Sequence, residues 1–575
     1  METTKRLIEC VPNFSEGRDM SIIKQITDEI ESVEGVLLLN VDPGEATNRT
    51  VVTFVGEPEP VVEAAYRAAK KAGEVIDMRQ HHGAHPRMGA TDVLPLIPVS
   101  GITLDECATL ARQLAQRLAN EAGIPCYVYE AAALKPERKN LAVCHAGEYE
   151  ALQEKLTDPL LKPDYMSPNS ALLTLNSSVL RTGCTAVGAR DFLIAVNWNL
   201  NTTSTRRANA IAFDVREKGR PMREGDTLTG AIIRDEKGNP VMKPGTLKCT
   251  KAIGWYIEEY GIAQVSMNMT NLNVTPLHVA FDEVCRCAWN RGIRVTGTEI
   301  VGLIPKKALI DAGKYFLEKQ QRSVGIPEED IVKIAIKSMG LDDLKPFNPR
   351  EKVIEYLLED AGSSKNSRKL ADLTIKDFAN ETSRESPAPG GGTIAAYMGA
   401  LGAALGTMVA NLSAHKIGWD ERWEEFSQYA SMGQDMLRQL MMLVDEDTRA
   451  FNRIMEAYAL PKATNEEKAV RDAAIQEATL YATQVPLRTM HASMQVFVLC
   501  RTMAKEGNPN SVSDAGVGAL AARAAVLGAG LNVKINAAAL NDRSMAERLV
   551  TEANDMIKRA EANEREIIGI VESKI

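Results

Sequence analysis

One order of predicted secondary-structure elements occurs twice in the first 340 residues and limits the folds open to this part of the chain. Alternating apolar and polar residues predict strands, and apolar residues recurring every three or four positions predict helices. Both copies predict strand, helix, strand, strand, helix, strand, and the first copy adds a helix and a strand. This is the order of the split-βαβ, or ferredoxin-like, unit. We therefore expect two tandem subdomains, over residues 1–192 and 193–345.

The composition changes after a polar segment, EDAGSSKNSR (359–368). Beyond it, Ala, Met, Leu, Glu and Lys recur at helical spacing, with almost no strand-like alternation. We expect a linker region over 346–368 and an all-α helical-bundle domain over 369–575. The predicted fold class is therefore α+β, with two tandem ferredoxin-like subdomains followed by a helical bundle.

Charge and cysteine usage exclude several classes of protein. A net charge of −9 argues against a broad nucleic-acid surface. The nine cysteines contain no CxxC pair and the N-terminus has no apolar signal segment, which together favour the reducing cytoplasm. The charge-free stretch from Ser386 to His415 consists mostly of Ala and Gly, so lipid transfer would gain little. We expect a buried helix there, and no membrane partner.

Three of the seven histidines, His81, His82 and His85, lie within the segment RQHHGAHPRMG (79–89). Their spacing matches no common zinc motif, and the neighbouring glycine and proline predict a loop, so a metal site is disfavoured. A core role is also disfavoured because the loop is polar. A catalytic loop is the first choice, since imidazole titrates near neutral pH.

Two charged residues lie near predicted strand ends in the same half. Asp42 ends the strand VLLLNVD before a Pro-Gly turn, where it could cap the turn, orient an imidazole or hold a cationic carbon. Arg190 precedes the first strand of the second subdomain, where it could reach a carboxylate across the cleft or form a surface salt bridge.

In the helical region, Gly390, Gly391 and Gly392 lead directly into a predicted helix. The backbone N–H groups there could bind an anion, or the glycines could allow close helix packing.

Three polar residues interrupt apolar helix faces further along. Asp447 falls within an apolar stripe, where burial would raise its pKa and allow proton exchange, unless it is tied to another helix. Asn532 and Asn536, one turn apart, could bind the edge of a ligand or pair with each other.

Eight segments in family order strongly resemble the bifunctional formimidoyltransferase-cyclodeaminase family of histidine degradation, and they span almost the whole chain. They are ECVPNFSEG (9–17), NVDPGEATNRTVVTFVG (40–56), GAHPRMGATDVLPLIPV (83–99), VGARDFLIAVN (187–197), KAIGWYIEEYGIAQVSMN (251–268), VGLIPKKALIDA (301–312), PAPGGGTIAA (387–396) and LVDEDTRAF (443–451).

The resemblance implies a two-step activity. The first region would transfer the formimidoyl group of N-formimidoyl-L-glutamate to N5 of tetrahydrofolate. The helical region would cyclise 5-formimidoyltetrahydrofolate to 5,10-methenyltetrahydrofolate and release ammonia. It further implies a polyglutamylated folate co-substrate and a homo-oligomer larger than a dimer, and no spacing in the chain supports a catalytic metal. The alternatives are a related enzyme that acts on a 5-formyl folate with methenyl-folate cyclohydrolase activity, and a non-catalytic folate-binding assembly.

The resemblance also assigns roles to individual residues. His85 matches the family's base, and Asp42 would orient it or stabilise the cation. Arg190 would hold a substrate carboxylate, and Asp447 matches the catalytic carboxylate of cyclisation. Four further features follow: Ser177 and Gly183 are retained in the divergent folate-binding loop (174–183), Glu299 stands where vertebrate members carry Gln, and residues 221–246 form an insertion.

Overall fold

The computed structural model describes residues 6–45, 47–83, 86–167, 177–226, 230–362, 369–385 and 388–575. The chain forms two compact units. One contains Met1–Ala312 and Met339–Gly362, and the other contains Gly313–Ser338 and Ser363–Ile575. The segment 313–338 thus belongs to the helical unit, and the subdomain and linker boundaries predicted above stay predictions.

In the first part of the first unit, the described residues form seven strands and six α-helices. The strands are β1 (Leu7–Cys10), β2 (Asn13–Phe14), β3 (Val36–Gly44), β4 (Arg49–Gly56), β5 (Thr91–Ser100), β6 (Cys126–Glu130) and β7 (Thr185–Ala189). The helices are α1 (Met20–Glu31), α2 (Pro58–Val75), α3 (Leu104–Arg117), α4 (Leu141–His145), α5 (Leu152–Thr157) and α6 (Ser177–Thr182).

The strands form one mixed sheet in which β3 pairs with β4, β4 with β1 and β2, and these with β5. All of these pairs are antiparallel, whereas β7 lies parallel to both β5 and β6. Because β1 and β2 both pair with β4 and β5, they occupy one position in the sheet and count as one strand. The order across the sheet is then β3, β4, β1/β2, β5, which is second, third, first, fourth in the chain, as in a split-βαβ fold. One face is covered by helices over a core that includes Ile26, Phe54 and Leu94.

The second subdomain repeats this arrangement. Its elements are β8 (Ile194–Leu200), α7 (Thr205–Val215), β9 (Arg220–Pro221), β10 (Met242–Lys243), β11 (Thr250–Ile257), β12 (Ile262–Met269), α8 (Leu277–Trp289) and β13 (Val295–Val301). The main sheet has the antiparallel order β11-β12-β8-β13, which is again second, third, first, fourth. Trp198 of β8 is fully buried, with its ring 5.9 Å from that of Phe281 on α8.

Beyond β13, the described residues form helices joined by loops. The helices are α9 (Lys306–Lys319), α10 (Glu328–Met339), α11 (Pro349–Lys352), α12 (Ile354–Gly362), α13 (Ile375–Thr382), α14 (Gly391–Ala414), α15 (Trp423–Ala459), α16 (Asn465–Glu506), α17 (Val512–Ala537) and α18 (Arg543–Glu572). The predicted fold class, α+β followed by a helical bundle, is confirmed.

Small residues bring α14 close to its neighbours in the bundle. A Cβ atom at Gly433 of α15 would lie 2.0 Å from Thr407 Oγ1 of α14, so only glycine fits there. By length and composition, the described helical segments Gly391–Ala414 and Pro509–Ala537 are apolar enough to cross a membrane. Their most apolar windows are 61% and 50% buried inside the structure.

The loop between α9 and α10 packs onto the helical bundle through its backbone. Ser323 N donates to His415 Nε2 at 3.3 Å, and Val324 N donates to Ser427 Oγ at 3.0 Å. These hydrogen bonds hold part of the 313–338 segment against α15 and the end of α14.

Candidate active sites

The first sheet presents polar side chains on the face opposite its main helical core. In β1, Ile8 and Cys10 belong to the core under the helices, so Glu9 between them points to the opposite face. In β3, Val41 packs against the same core, so the following residue, Asp42, lies on the face of Glu9. The sheet therefore places Glu9 and Asp42 on the same face.

The histidine loop contains one buried and one exposed histidine. His81 is buried and its Nε2 lies 2.8 Å from Asn48 O, while its Nδ1 accepts from Arg87 Nε at 3.4 Å. Burial lowers the pKa of His81, which fits a neutral ring that donates through Nε2. His82 is exposed, and His85 lies outside the described residues. His81 is thus a structural histidine, which the sequence did not distinguish from its neighbours.

Arg87, two positions after His85, is buried and paired with two carboxylates. It donates to both oxygens of Glu150 at 2.7 and 2.8 Å and to Glu148 Oε2 at 3.1 Å. This bidentate pairing fixes the chain directly after His85.

Asp92, at the start of β5, is fully buried and also binds the histidine loop. It is paired with Arg49, and its Oδ1 accepts from His145 Nε2 at 2.9 Å and from Met88 N at 3.0 Å. Burial alone would raise its pKa, but His145 and Arg49 outweigh burial and lower the pKa to about 2. Arg87 and Asp92 therefore anchor the chain that follows His85, and the sequence analysis missed Asp92 because its partners are distant in the chain.

Arg190 lies directly after β7, and its Nη1 donates to Asp191 O at 3.0 Å. Its charge acts on two buried groups. Burial raises the pKa of Glu9 to about 7, with Arg190 opposing and Glu355 reinforcing that rise. Burial also raises the pKa of Tyr129 to about 12, against the effect of Arg190.

In the second sheet, Glu299 is the centre of a polar network on the face opposite the helices. It accepts from Asn197 Nδ2 at 2.9 Å, from Tyr260 OH at 3.3 Å and from Gln264 Nε2 at 3.4 Å. The network continues to Asn199, Trp255 and Asp343. Sequence reasoning found only Glu299, although the alternation in VNWNL (196–200) marks polar residues within a buried strand.

The two residues predicted in the folate-binding loop lie at the start and after the end of α6. Ser177 is the first residue of α6, and its side chain is not among those described. Gly183 has φ +64, and a Cβ atom there would lie 2.2 Å from Met88 O. Gly183 is therefore needed for the close approach of this turn to the histidine loop.

In the helical unit, Asp447 of α15 meets the start of α14. Its Oδ2 accepts from Thr393 Oγ1 at 2.8 Å, and a Cβ atom at Gly392 would lie 2.2 Å from its Oδ1. A Cβ atom at Gly391 would lie 3.3 Å from Asn532 Nδ2. Burial raises the pKa of Asp447, although hydrogen bonds from the Thr393 side chain and backbone oppose the rise. The structure thus brings together Asp447, two of the three glycines and Asn532.

The remaining predicted residues of this region have local roles. Gly390 is the N-cap residue of α14. Asn532 Nδ2 donates to Gly528 O at 3.0 Å, and Asn536 Nδ2 donates to Ala482 O at 2.7 Å. The two amides therefore do not pair with each other.

Of the three consecutive carboxylates on α15, only Asp447 faces the glycine segment. Asp445 Oδ1 accepts from Leu370 N at 2.8 Å, and Glu446 forms an ion pair with Arg449 at 2.5 Å. Their partners leave Asp447 as the carboxylate available to a ligand at the start of α14.

Among the described residues, no group of three or more His, Cys, Asp or Glu is arranged to hold a metal ion. The expected metal independence stays a prediction.

Three family models match the chain in succession. They are described as "Formiminotransferase domain, N-terminal subdomain" over 7–190, "Formiminotransferase domain" over 195–359 and "Formiminotransferase-cyclodeaminase" over 374–555.

Curated relatives match the whole chain or a part of it. The chain is 40% identical to a formimidoyltransferase-cyclodeaminase of Rattus norvegicus over 99% of both chains. It is 39% identical to a glutamate formimidoyltransferase of Streptococcus pyogenes, over 54% of this chain and 94% of the relative. It is 41% identical to a methenyltetrahydrofolate cyclohydrolase of Methylorubrum extorquens, over 35% of this chain and 97% of the relative.

Proposed function

The chain belongs to the formimidoyltransferase-cyclodeaminase family, and we infer that it carries out both reactions of that family. It transfers the formimidoyl group of N-formimidoyl-L-glutamate to N5 of tetrahydrofolate. It then cyclises 5-formimidoyltetrahydrofolate to 5,10-methenyltetrahydrofolate with release of ammonia. Relatives matching the whole length favour this pair of activities over a 5-formyl folate enzyme with cyclohydrolase activity, although one relative that matches 35% of the chain is a cyclohydrolase.

The observation that carries the cyclodeaminase assignment is the position of Asp447 at the start of α14. In cyclisation, N10 attacks the formimidoyl carbon, so one group must accept a proton and donate one to the departing ammonia. A carboxyl whose pKa is raised by burial suits this exchange. Asp447 is the proton shuttle in this proposal, and the folate contacts are Gly390, Gly391, Gly392, Asn532 and Asn536.

For transfer, His85 is the base that takes the proton from N5 as it attacks the formimidoyl carbon. Asp42 orients His85 or stabilises the cationic carbon, and Arg190 holds a substrate carboxylate. The chain that follows His85 is anchored by the contacts of Arg87 and Asp92, which supports this assignment because a base must be held in position. Three further residues are proposed to contact the folate: Ser177, Gly183 and Glu299.

Turnover of N-formimidoyl-L-glutamate with tetrahydrofolate, followed by methenyl absorbance and ammonia release, tests the function directly. His85→Ala should abolish transfer and leave cyclodeamination of supplied 5-formimidoyltetrahydrofolate intact. Asp447→Ala should do the converse and let 5-formimidoyltetrahydrofolate accumulate. Transfer by the first variant, or methenyl formation by the second, at the wild-type rate would overturn that residue's role.

Assembly into a cytoplasmic homo-oligomer larger than a dimer, without membrane or nucleic-acid partners, is part of the proposal. Leu531 and Ile535 on α17 are 66% and 71% exposed, and Leu401 and Leu412 on α14 are also exposed. Apolar surface of this extent favours burial against another subunit. Light scattering should give a mass well above the 62.8 kDa of one chain, and a mass near that value would contradict the assembly.

A polyglutamylated folate would remain bound between the two reactions because its tail raises the effective concentration of the intermediate. An added trap enzyme should capture the intermediate less readily when the folate carries several glutamates. Equal capture of the monoglutamate and polyglutamate forms would contradict this retention.

A further inference from the structure

Glu9 is a buried carboxyl group without a hydrogen-bond partner among the described residues. Only 2% of its surface is exposed, and within the described part of the chain the charges of Arg190 and Glu355 act on it. Its cross-strand neighbours, Val55 of β4 and Ile97 of β5, are both apolar and buried. Burying a carboxyl without a hydrogen bond costs free energy, and a ligand atom that reaches Glu9 can form one with it.

Glu9 and Arg190 lie on the same face of the sheet and at the same level along their strands, with β5 between them. Glu9 is paired with Ile97, and Arg190 N donates to the preceding carbonyl of β5, Leu96 O, at 3.2 Å. Neighbouring strands lie about 4.8 Å apart, so the Cα atoms of Glu9 and Arg190 are separated by about 10 Å. Side chains directly opposite each other in a sheet point to the same face. A small molecule whose carboxylate is bound by Arg190 would therefore have its neighbouring atoms close to Glu9.

We propose that Glu9 is the acid that protonates the departing glutamate nitrogen during formimidoyl transfer. The proposal rests on the transferase function proposed above and on the binding of the α-carboxylate of N-formimidoyl-L-glutamate by Arg190. The nitrogen that leaves is attached to the carbon that carries this carboxylate, so fixing the carboxylate places the nitrogen beside Glu9.

The proposed step balances in protons and electrons. In the tetrahedral intermediate, the lone pair of the remaining formimidoyl nitrogen forms the C=N bond of the product. The bond to the glutamate nitrogen breaks, its electron pair passes to that nitrogen, and the nitrogen takes the proton of the Glu9 carboxyl. Glu9 is left as a carboxylate and regains a proton from solvent, while His85 gives the proton taken from N5 to solvent.

The environment keeps Glu9 partly protonated at neutral pH, as an acid requires. Burial raises its pKa to about 7, the positive charge of Arg190 lowers it and the negative charge of Glu355 raises it. Since the protonated form is the active one, transfer should slow as the pH rises through this pKa. The pH dependence of kcat should therefore have an alkaline limb assigned to Glu9.

Glu9→Gln tests the proposal because the amide keeps the size of the side chain but cannot supply the proton. We expect kcat for transfer to fall about 10²-fold or more, with little change in KM for N-formimidoyl-L-glutamate and with loss of the alkaline limb. Cyclodeamination of supplied 5-formimidoyltetrahydrofolate should be unchanged, and circular dichroism should show retained folding.

Glu355→Gln is the matched control. Glu355 Oε2 accepts from Lys306 N at 2.7 Å, and a glutamine oxygen can do the same. Removing its negative charge should keep the alkaline limb but move it to lower pH, because that charge raises the pKa of Glu9.

Three outcomes would overturn the proposal. One is a Glu9→Gln variant that transfers within a few-fold of wild type or keeps the alkaline limb. Another is a variant that raises KM with kcat retained, which would make Glu9 a binding residue only. The third is an alkaline limb that lies at the same pH in Glu355→Gln as in the wild type. This outcome does not depend on folding of the Glu9 variant. A wild-type chain without any transfer would refute the proposed function instead.

Discussion

Replacement of Gly392 by alanine should disable cyclodeamination through a single methyl group. Gly392 lies in the first turn of α14 and faces the Asp447 side chain of α15. An added Cβ atom would lie 2.2 Å from Asp447 Oδ1, 2.7 Å from its Cγ and 2.8 Å from its Oδ2. Since ordinary contacts of a Cβ atom begin near 3.4 Å, the carboxylate must move by about 1 Å.

The size of the effect follows from that displacement. The hydrogen bond from Thr393 Oγ1 to Asp447 Oδ2, now 2.8 Å long, would be lost or remade in another geometry. A misplacement of about 1 Å can cost about 10²-fold in rate when the group must meet a reacting atom. We therefore expect kcat for cyclodeamination to fall about 10²-fold, while formimidoyl transfer continues and 5-formimidoyltetrahydrofolate accumulates.

The assay is ammonia release and methenyl absorbance with supplied 5-formimidoyltetrahydrofolate. Gly569→Ala in α18 is the matched control, because a Cβ atom there has nothing within 4 Å. This control should keep full activity and stabilise its helix by about 0.5–1 kcal/mol. Cyclodeamination by Gly392→Ala at the control's rate would refute the argument that Asp447 acts from its present position.

Four other measurements follow from the structure. Asp447→Asn, which keeps the shape of the side chain but cannot exchange a proton, should slow ammonia release by about 10²-fold or more; an unchanged rate would contradict the shuttle. Asp42→Asn should slow transfer and spare cyclodeamination, and equal loss of both rates would instead indicate misfolding. Prolonged chelation should leave both activities intact, whereas recovery on addition of zinc to a chelated, inactive sample would contradict metal independence. Because the pKa of Glu9 rises from 4.5 to about 7 on folding, the unfolded chain ionises first as the pH rises. The free energy of unfolding of this region should fall by about 3 kcal/mol between pH 4.5 and pH 7. Glu9→Gln should remove that loss in urea titrations, and an identical loss in the variant would assign it to other groups.

The tandem ferredoxin-like order could be predicted because it depends on local patterns. Each strand and helix is specified by the spacing of its own apolar residues, and the order of elements then allows few sheet topologies. The inward position of Asp447 could be predicted for the same reason, since it falls on the apolar stripe of its own helix.

The partners of the site residues could not be predicted in the same way. Asp92 is held by Arg49 and His145, which are 43 and 53 positions away in the chain. Thr393 reaches Asp447 across 54 positions, and Asn197 reaches Glu299 across 102. Such pairs depend on how whole elements pack, and this packing cannot be inferred from local patterns in a single sequence. The burial of His81 has the same origin, because it rests on a hydrogen bond to the distant backbone of Asn48.

The segment 313–338 belongs to a different unit from the residues that precede and follow it in the chain. It lies between two stretches of the transferase unit, yet it is held to the helical unit by bonds such as that from Asn411 Nδ2 to Gly325 O at 2.7 Å. The chain passes between the two units three times, after Ala312, after Ser338 and after Gly362. A protease that cuts once between Gly362 and Lys369 would therefore break one of these covalent connections and leave the other two intact. The two fragments should co-elute in size-exclusion chromatography and separate only in denaturant. A helical fragment expressed from residue 369 onward would lack part of its own packing and should expose the apolar surface that this segment covers.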